Sequence, residues 1–191
     1  MILIFAKLVN KYYQRIRIRI YKSLSEKVDI EGRPQVNQPV LMIGQGKIRF
    51  GQKVTLGHFP SPFFYNGVIH LEARQKTAEI VFGNNIYSNN NLSIICEGSL
   101  IEIGDDVLIG TNVEIIDSDF HNLDPNLRNS GDHKCKPVKI GRNVFVGSNV
   151  KILKGVTIGE NSVIASSSVV VKDIPANVIV AGNPASVIKE I

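Results

Sequence analysis

From residue 140 onward the chain carries an aliphatic residue at every sixth position: Ile140, Val146, Ile152, Ile158, Ile164 and Val170. Four places after the first three of these come Val144, Val150 and Val156, and the series continues with small Ser162 and Ser168. The same spacing runs through Ile103, Ile109 and Ile115, and through Phe82, Ser88, Ile94 and Leu100, with a phase slip between Leu100 and Ile103. A looser copy surrounds Phe50-Gly51 and Leu56-Gly57. Neither the 3.6-residue period of a helix nor the alternation of an ordinary strand generates this spacing. A short parallel strand every six residues does, three of them closing a triangular coil of about 18 residues. Successive coils then stack at about 4.8 Å and satisfy one another's backbone groups. The aliphatic residue fills the interior, and Gly or Asn takes the corners where φ is positive. Proline is absent from 63–124 and 138–174, as interior ladders require. A parallel β-solenoid follows, with neither its handedness nor its assembly fixed by the period.

The length of 191 residues suits one domain, and apolar residues at 43% exclude intrinsic disorder. Aromatic content is 7% with no Trp. No apolar run reaches the roughly 18 residues of a membrane span. Residues 1–22 hold six basic residues (Lys7, Lys11, Arg15, Arg17, Arg19 and Lys22) and no acid, which leaves the remainder with a net charge of −1. A nearly neutral body argues against general nucleic-acid binding. Cys96 and Cys135 form no zinc or redox motif, and the start MILIFAKLV, apolar before basic, is the reverse of a secretory signal. A reducing, cytoplasmic setting is expected.

Three parts are anticipated: a basic arm or cap over 1–40, a β-helix over 41–174, and a turn with a short helix over 175–191. Within 1–24, Phe5, Leu8, Tyr12 and Ile16 fall on one helical face, whereas RIRIRI (15–20) alternates like a strand. The segment is read either as a helix or edge strand packed on the first coil, or as an anchor approaching anionic lipid at the inner membrane face. Two stretches break the period. Residues 117–137, DSDFHNLDPNLRNSGDHKCKP, read as a loop extruded from the coil, and 58–79 as an excursion or an irregular coil.

The stretch VKIGRNVFVGSNVKILKGVTIGENSVIASSSVVVKDIPANVIVAGNPASVIKEI closely resembles the end of the hexapeptide-repeat O-acetyltransferases that act on galactosides, maltose and nodulation factors. YSNNNLSIICEG and IEIGDDVLIGTNVEI resemble the preceding coils, so the likeness covers roughly 80–191. It implies an all-β, left-handed parallel β-helix, a homotrimer with active sites between subunits, and acetyl-CoA as donor with no metal. Residues 1–79 do not resemble the small helical segment that covers the acceptor site in the sugar enzymes. That departure points to the branch encoded with surface-polysaccharide assembly, acting on a sugar or glycan intermediate.

The resemblance also suggests which residues act. His121, within DSDFHNLD, occupies the place of the family's catalytic base. A neutral imidazole suits removal of a proton from a sugar hydroxyl as that hydroxyl attacks an already activated thioester. An acceptor must orient its other nitrogen: Asp119 first, then Asp117 or Asp124, with a backbone carbonyl equally suitable. His133 is the competing base. Asn89 matches an Asn that faces the base across the subunit boundary, where its amide can donate to the acceptor or to the developing oxyanion. Asn90 and Asn91 read as corner residues, and Asn91 and Asp124 also as acceptor contacts. Glu97 matches an acidic acceptor-binding position, and Ser148, Ser166, Lys172 and Lys189 match CoA-binding positions, the lysines as point charges for phosphates. Competing functions are N-acetylation of a nucleotide-linked amino sugar, a serine or antibiotic O-acetyltransferase, a non-enzymatic trimeric scaffold, and a zinc hydratase. The last needs histidines paired on adjacent coils.

Overall fold

The computed structural model describes the backbone of residues 2–25, 28–131 and 133–191, with side chains from Tyr12 onward. A helix, Ile2–Leu24, is followed by short strands laid down in turn on three walls. Wall one holds Asp29–Glu31, Lys47–Phe50, Glu79–Phe82, Leu100–Ile103, Val138–Ile140 and Thr157–Ile158. Wall two holds Gln35–Val36, Thr55–Leu56, Tyr87–Ser88, Leu108–Ile109, Phe145–Val146 and Val163–Ile164, then Val178–Gly182 and Ala185–Glu190. Wall three holds Val40–Gly44, Ile69–Ala73, Ser93–Cys96, Glu114–Ile116, Lys151–Ile152 and Val169–Val170. All pairings between coils are parallel and in register, as in Ile94↔Ile115 and Ile115↔Ile152. The ladder therefore extends one hexad by one hexad from wall to wall.

The periodic residues form the core. Ile140, Val146, Ile152, Ile158, Ile164 and Val170 are buried, as are Ser88, Ser162 and Ser168 where the interior is narrow. Phe50 and Phe82 stack at 4.9 Å between centroids, filling the wide first coils. Leu100 stands outside this row, and its neighbours Ile101 and Ile103 point inward instead. The phase slip is thus taken up in the turn at 97–99, before the strand begins. At one corner Asn91, Asn112 and Asn149 all have φ near +60°, the left-handed conformation Asn tolerates better than most residues. Their side chains chain together, Asn91 Nδ2 donating to Asn112 Oδ1 at 2.8 Å and Asn112 Nδ2 to Asn149 Oδ1 at 2.9 Å.

The ends differ from expectation. Residues 175–191 contain no helix: Val178–Gly182 continues wall two and Ala185–Glu190 folds back on it antiparallel. The β-branched pair Val187-Ile188 suits that pairing, and the last strand's backbone gains partners that an isolated C-terminal helix would lack. The solenoid also begins before residue 41, because Asp29–Glu31 and Gln35–Val36 already pair with the next coil. The 58–79 irregularity shrinks to 58–68, since Ile69–Ala73 lies in wall three. The arginine–isoleucine alternation lies within the helix, whose Phe5 and Leu8 side chains fall outside the described residues.

Candidate active site

The extruded loop leaves wall three after Ile116 and re-enters wall one at Val138, so it sits at a single corner. Asp117 pins its root. The carboxylate is fully buried and accepts from Glu97 N (2.7 Å), Gly98 N (3.2 Å), Ser99 N (2.9 Å) and Ser99 Oγ (2.9 Å). Lys136 N returns to Asp117 O at 2.8 Å, and Ser118 pairs with Cys135 as an antiparallel bridge, which closes the neck. Phe120 then adopts φ +60°, its N–H held by Ser118 Oγ at 2.9 Å and its ring under the Arg74 guanidinium at 5.1 Å. His121 follows directly, so its backbone is set from both sides.

The His121 ring is exposed, with Nδ1 3.2 Å from the Arg128 carbonyl. A carbonyl only accepts, so Nδ1 is the donor in this contact, and in the neutral ring Nε2 is the nitrogen with the free lone pair. The ring borders a cavity of about 180 Å³ that Asp119, Asn122, His133 and Lys154 also line. Asp119 does not orient the imidazole: it is ion-paired with Lys154, whose ammonium also reaches Lys134 O at 3.2 Å. The strong cation, some 35 positions away in sequence, outcompetes a neutral ring for the carboxylate. Asp124 is not the orienting group either, because its Oδ1 accepts from Asn126 N at 2.8 Å and shapes the loop tip.

Beneath the loop lies a network of ions. Glu97 is buried and paired with Arg74, accepts from Gln75 Nε2 at 3.1 Å, and stands 3.5 Å from His133 Nε2. His133 Nδ1 is buried without a hydrogen-bond partner among the described residues. Arg74 Nε also donates to Glu72 at 2.8 Å, and His70 Nε2 lies 3.2 Å from the same carboxylate. Burial opposes ionisation of Glu72, but the bonds from Arg74 and His70 outweigh it and hold its carboxyl below the usual range. The same Glu72 bond holds the Arg74 guanidinium up. Glu97, expected to meet an acceptor, is therefore committed to the scaffold within one chain.

Asn89, Asn91, Ser148 and Ser166 gather at the next corner, between walls two and three. Asn89 N donates to Ile109 O at 2.8 Å and its Oδ1 accepts from Asn90 N at 2.8 Å, which leaves the amide nitrogen free of partners among the described residues. Asn91, expected as an acceptor contact, belongs to the asparagine ladder instead, because its left-handed backbone places it at the corner. Ser148 Oγ accepts from Thr111 N (3.2 Å) and Thr111 Oγ1 (3.0 Å), and Ser166 Oγ accepts from Ser148 N (3.2 Å). Each hydroxyl thus keeps its proton to donate outward. Gly147 permits this stacking, since a Cβ there would lie 2.7 Å from Ser166 N. Lys172 and Lys189 are exposed and unpaired with any carboxylate among the described residues.

His121, Asp119, Asp124 and Glu97 therefore share one corner of the prism, and Asn89, Ser148 and Ser166 another. One chain does not bring them together. His58 is bonded to the Tyr87 hydroxyl and His70 to Glu72, and no group of three or more metal-ligating side chains converges among the described residues. Sequence reasoning missed Lys154 as the partner of Asp119, and its alternative of a backbone carbonyl as the orienter did not name Arg128. A backbone acceptor leaves no mark in side-chain identity, so no sequence signal was available for the second.

A family model described as bacterial transferase hexapeptide (six repeats) matches residues 137–172. The chain is 43% identical over 132 residues to galactoside O-acetyltransferase of Escherichia coli (strain K12), a match covering 69% of this chain and 59% of that protein. It is 43% identical over 110 residues to galactoside O-acetyltransferase of Lactococcus lactis, covering 58% of this chain and 52% of that one. The matched region thus spans only a little over half the length of these relatives. Among solved structures, the polySia-specific acetyltransferase NeuO superposes with a TM-score of 0.67 at 27% identity, covering 87% of this chain and 67% of that one. A galactoside acetyltransferase in complex with coenzyme A gives 0.50 at 27% identity, covering 98% and 80%. The six-residue period, the three-walled coil and these likenesses agree: the chain carries the bacterial transferase hexapeptide repeat over 137–172, folds as a left-handed parallel β-helix, and is similar to the hexapeptide-repeat acetyltransferases.

Proposed function

We propose that the protein transfers the acetyl group of acetyl-CoA to a hydroxyl of a sugar or surface-polysaccharide intermediate in the cytoplasm, with His121 as general base. The observation that carries this reading is the Nδ1 contact with the Arg128 carbonyl, which leaves Nε2 as the ring nitrogen open to a substrate proton at the edge of a cavity. The relatives named galactoside O-acetyltransferase and the neighbour bound to coenzyme A support the acceptor class and the donor.

The acceptor oxygen attacks the thioester carbonyl as Nε2 takes its proton, forming a tetrahedral intermediate. The intermediate collapses, the C–S bond breaks, and the imidazolium returns the proton to the departing thiolate. Direct attack needs no covalent enzyme intermediate, and a well-placed base contributes on the order of 10²–10⁴-fold. Because His121 and Asn89 stand at different corners, the complete site takes its Asn89 amide from a second copy, which fits active sites between subunits of a homotrimer. That amide would stabilise the oxyanion, a contact worth about 3 kcal/mol. The outward hydroxyl protons of Ser148 and Ser166 suit the amide carbonyls of the pantetheine arm, and Lys172 and Lys189 suit its phosphates.

The test is thiol release from acetyl-CoA with a panel of sugar acceptors, products being read by mass spectrometry. His121→Ala lowers turnover at least about 100-fold while the oligomer elutes unchanged from a sizing column. Near-parental turnover in that variant removes His121 from the mechanism, and no thiol release with any acceptor removes the enzyme reading.

A further inference from the structure

Among the described side chains, Gln14, Arg17, Ile18 and Tyr21 form the face that the N-terminal helix turns to the body. Gln14 is 5% exposed and donates from Nε2 to Phe64 O at 2.7 Å. Arg17 donates to Gly67 O at 2.8 Å and to Gln14 Oε1 at 2.9 Å, and the Tyr13 hydroxyl reaches Tyr65 O at 3.4 Å. An amphipathic helix that packs on a protein core buries most of its apolar side chains. Here Tyr12, Ile16, Ile20 and Leu24 are 60%, 55%, 49% and 54% exposed. At 100° per residue these four span about 120° of the helix, one continuous stripe.

The charge beside that stripe has one sign. Arg15, Arg19 and Lys22 are exposed and lie along one flank, and residues 1–22 contain no acid. The loop on which the helix rests adds aromatic surface: Phe59, Phe63 and Tyr65 are 51%, 38% and 46% exposed. Among the described residues no helix is long and apolar enough to cross a membrane, so the segment suits lying on a bilayer rather than spanning it. Exposed isoleucines, flanking cations and nearby aromatic rings are what the boundary between headgroups and acyl chains accommodates.

We propose that residues 12–24, with the 58–68 loop beside them, form a docking surface for an anionic lipid bilayer. The stripe enters the headgroup boundary while Arg15, Arg19 and Lys22 meet lipid phosphates, their aliphatic stems lying along the apolar surface. Charge complementarity selects this occupant. A second copy would meet the stripe with a body that is nearly neutral or with another basic helix, whereas an anionic leaflet supplies the opposite sign in excess.

The experiment is co-sedimentation of the full chain with vesicles of phosphatidylcholine and phosphatidylserine (7:3) and of phosphatidylcholine alone, at 0.1 M and 0.5 M NaCl. Partitioning onto the serine-containing vesicles exceeds that onto the neutral ones at least tenfold and falls with salt. Ile16→Asp/Ile20→Asp lowers it at least tenfold, and Arg15→Gln/Arg19→Gln/Lys22→Gln lowers it about fivefold per charge removed, both with unchanged circular dichroism. Equal partitioning onto the two vesicle types overturns the proposal, as does an unchanged Ile16→Asp/Ile20→Asp variant. Loss of the oligomer in that variant, with no vesicle binding by the parent, assigns the stripe to a second copy instead.

Discussion

Replacing Asp117 tests how the loop that carries His121 is anchored. The buried carboxylate accepts three backbone N–H groups and the Ser99 hydroxyl, while its own carbonyl accepts Lys136 N from the loop's return. Asp117→Ala leaves the Glu97, Gly98 and Ser99 amides without that acceptor in a poorly hydrated turn. Hydrogen bonds to a charged group contribute about 1.5–3 kcal/mol each, but they are not additive and water enters part of the space. A net loss of about 3–5 kcal/mol is expected, the range for breaking a buried charged interaction. For a chain of 191 residues that corresponds to a fall in Tm of roughly 6–20 °C. Asp117→Asn keeps the shape and one acceptor oxygen, but turns its NH₂ towards donors on the other side, so it falls between alanine and the parent. Calorimetry at pH 7 gives the order, and thiol release from acetyl-CoA shows whether the loop still functions. An alanine variant melting within about 2 °C of the parent would show that the turn at 97–99 finds other acceptors and that Asp117 does not hold the loop.

Two further outcomes bear on the scaffold. Burial, reinforced by the nearby Asp117 charge, pushes the Cys96 thiol from 9.0 up to about 12. The unfolded chain therefore releases this proton first, and the stability it contributes is complete below about pH 9 and declines as pH rises towards 12. Between pH 9 and 11 the parent loses up to about 1.4 kcal/mol per pH unit more than Cys96→Ala in urea titrations, and coincident slopes would refute the assignment. At the asparagine corner, Asn112 has φ +57° and links Asn91 to Asn149. Asn112→Ala costs about 1–2 kcal/mol and Asn112→Gly less, since glycine accepts the left-handed backbone. An alanine variant as stable as the glycine variant would remove backbone conformation as the reason for asparagine there.

The walls of the coil were legible because an interior aliphatic at every sixth place leaves no other regular structure to bury Ile140 through Val170. Residues 117–137 stood out by the absence of that aliphatic. Leu100 misled, because hydrophobicity alone does not reveal that the turn at 97–99 shifts the inward position to Ile101. The last strand misled for a related reason. ASVIKE is short and exposed beyond Ala185, which alone of its residues packs against the core, so its antiparallel partner Val178–Gly182 decides its form. At the candidate site, residue types marked His121 but not its surroundings. Lys154 reaches Asp119 across the neck of the loop, and the Arg128 carbonyl that meets the ring belongs to a backbone any sequence could supply.

The register passes unbroken beneath the extruded loop, with Ile101 facing Val138 and Ile115 facing Ile152 as though nothing had been inserted. The insertion therefore leaves the strand pairing of the prism intact, although Asp117, Asp119 and His133 tie it to the neighbouring coils. Lengthening or recolouring the tip of that stretch would leave Ser148 and Ser166 where they stand; on the proposed reading, a lineage could then exchange the acceptor while the donor corner stays constant.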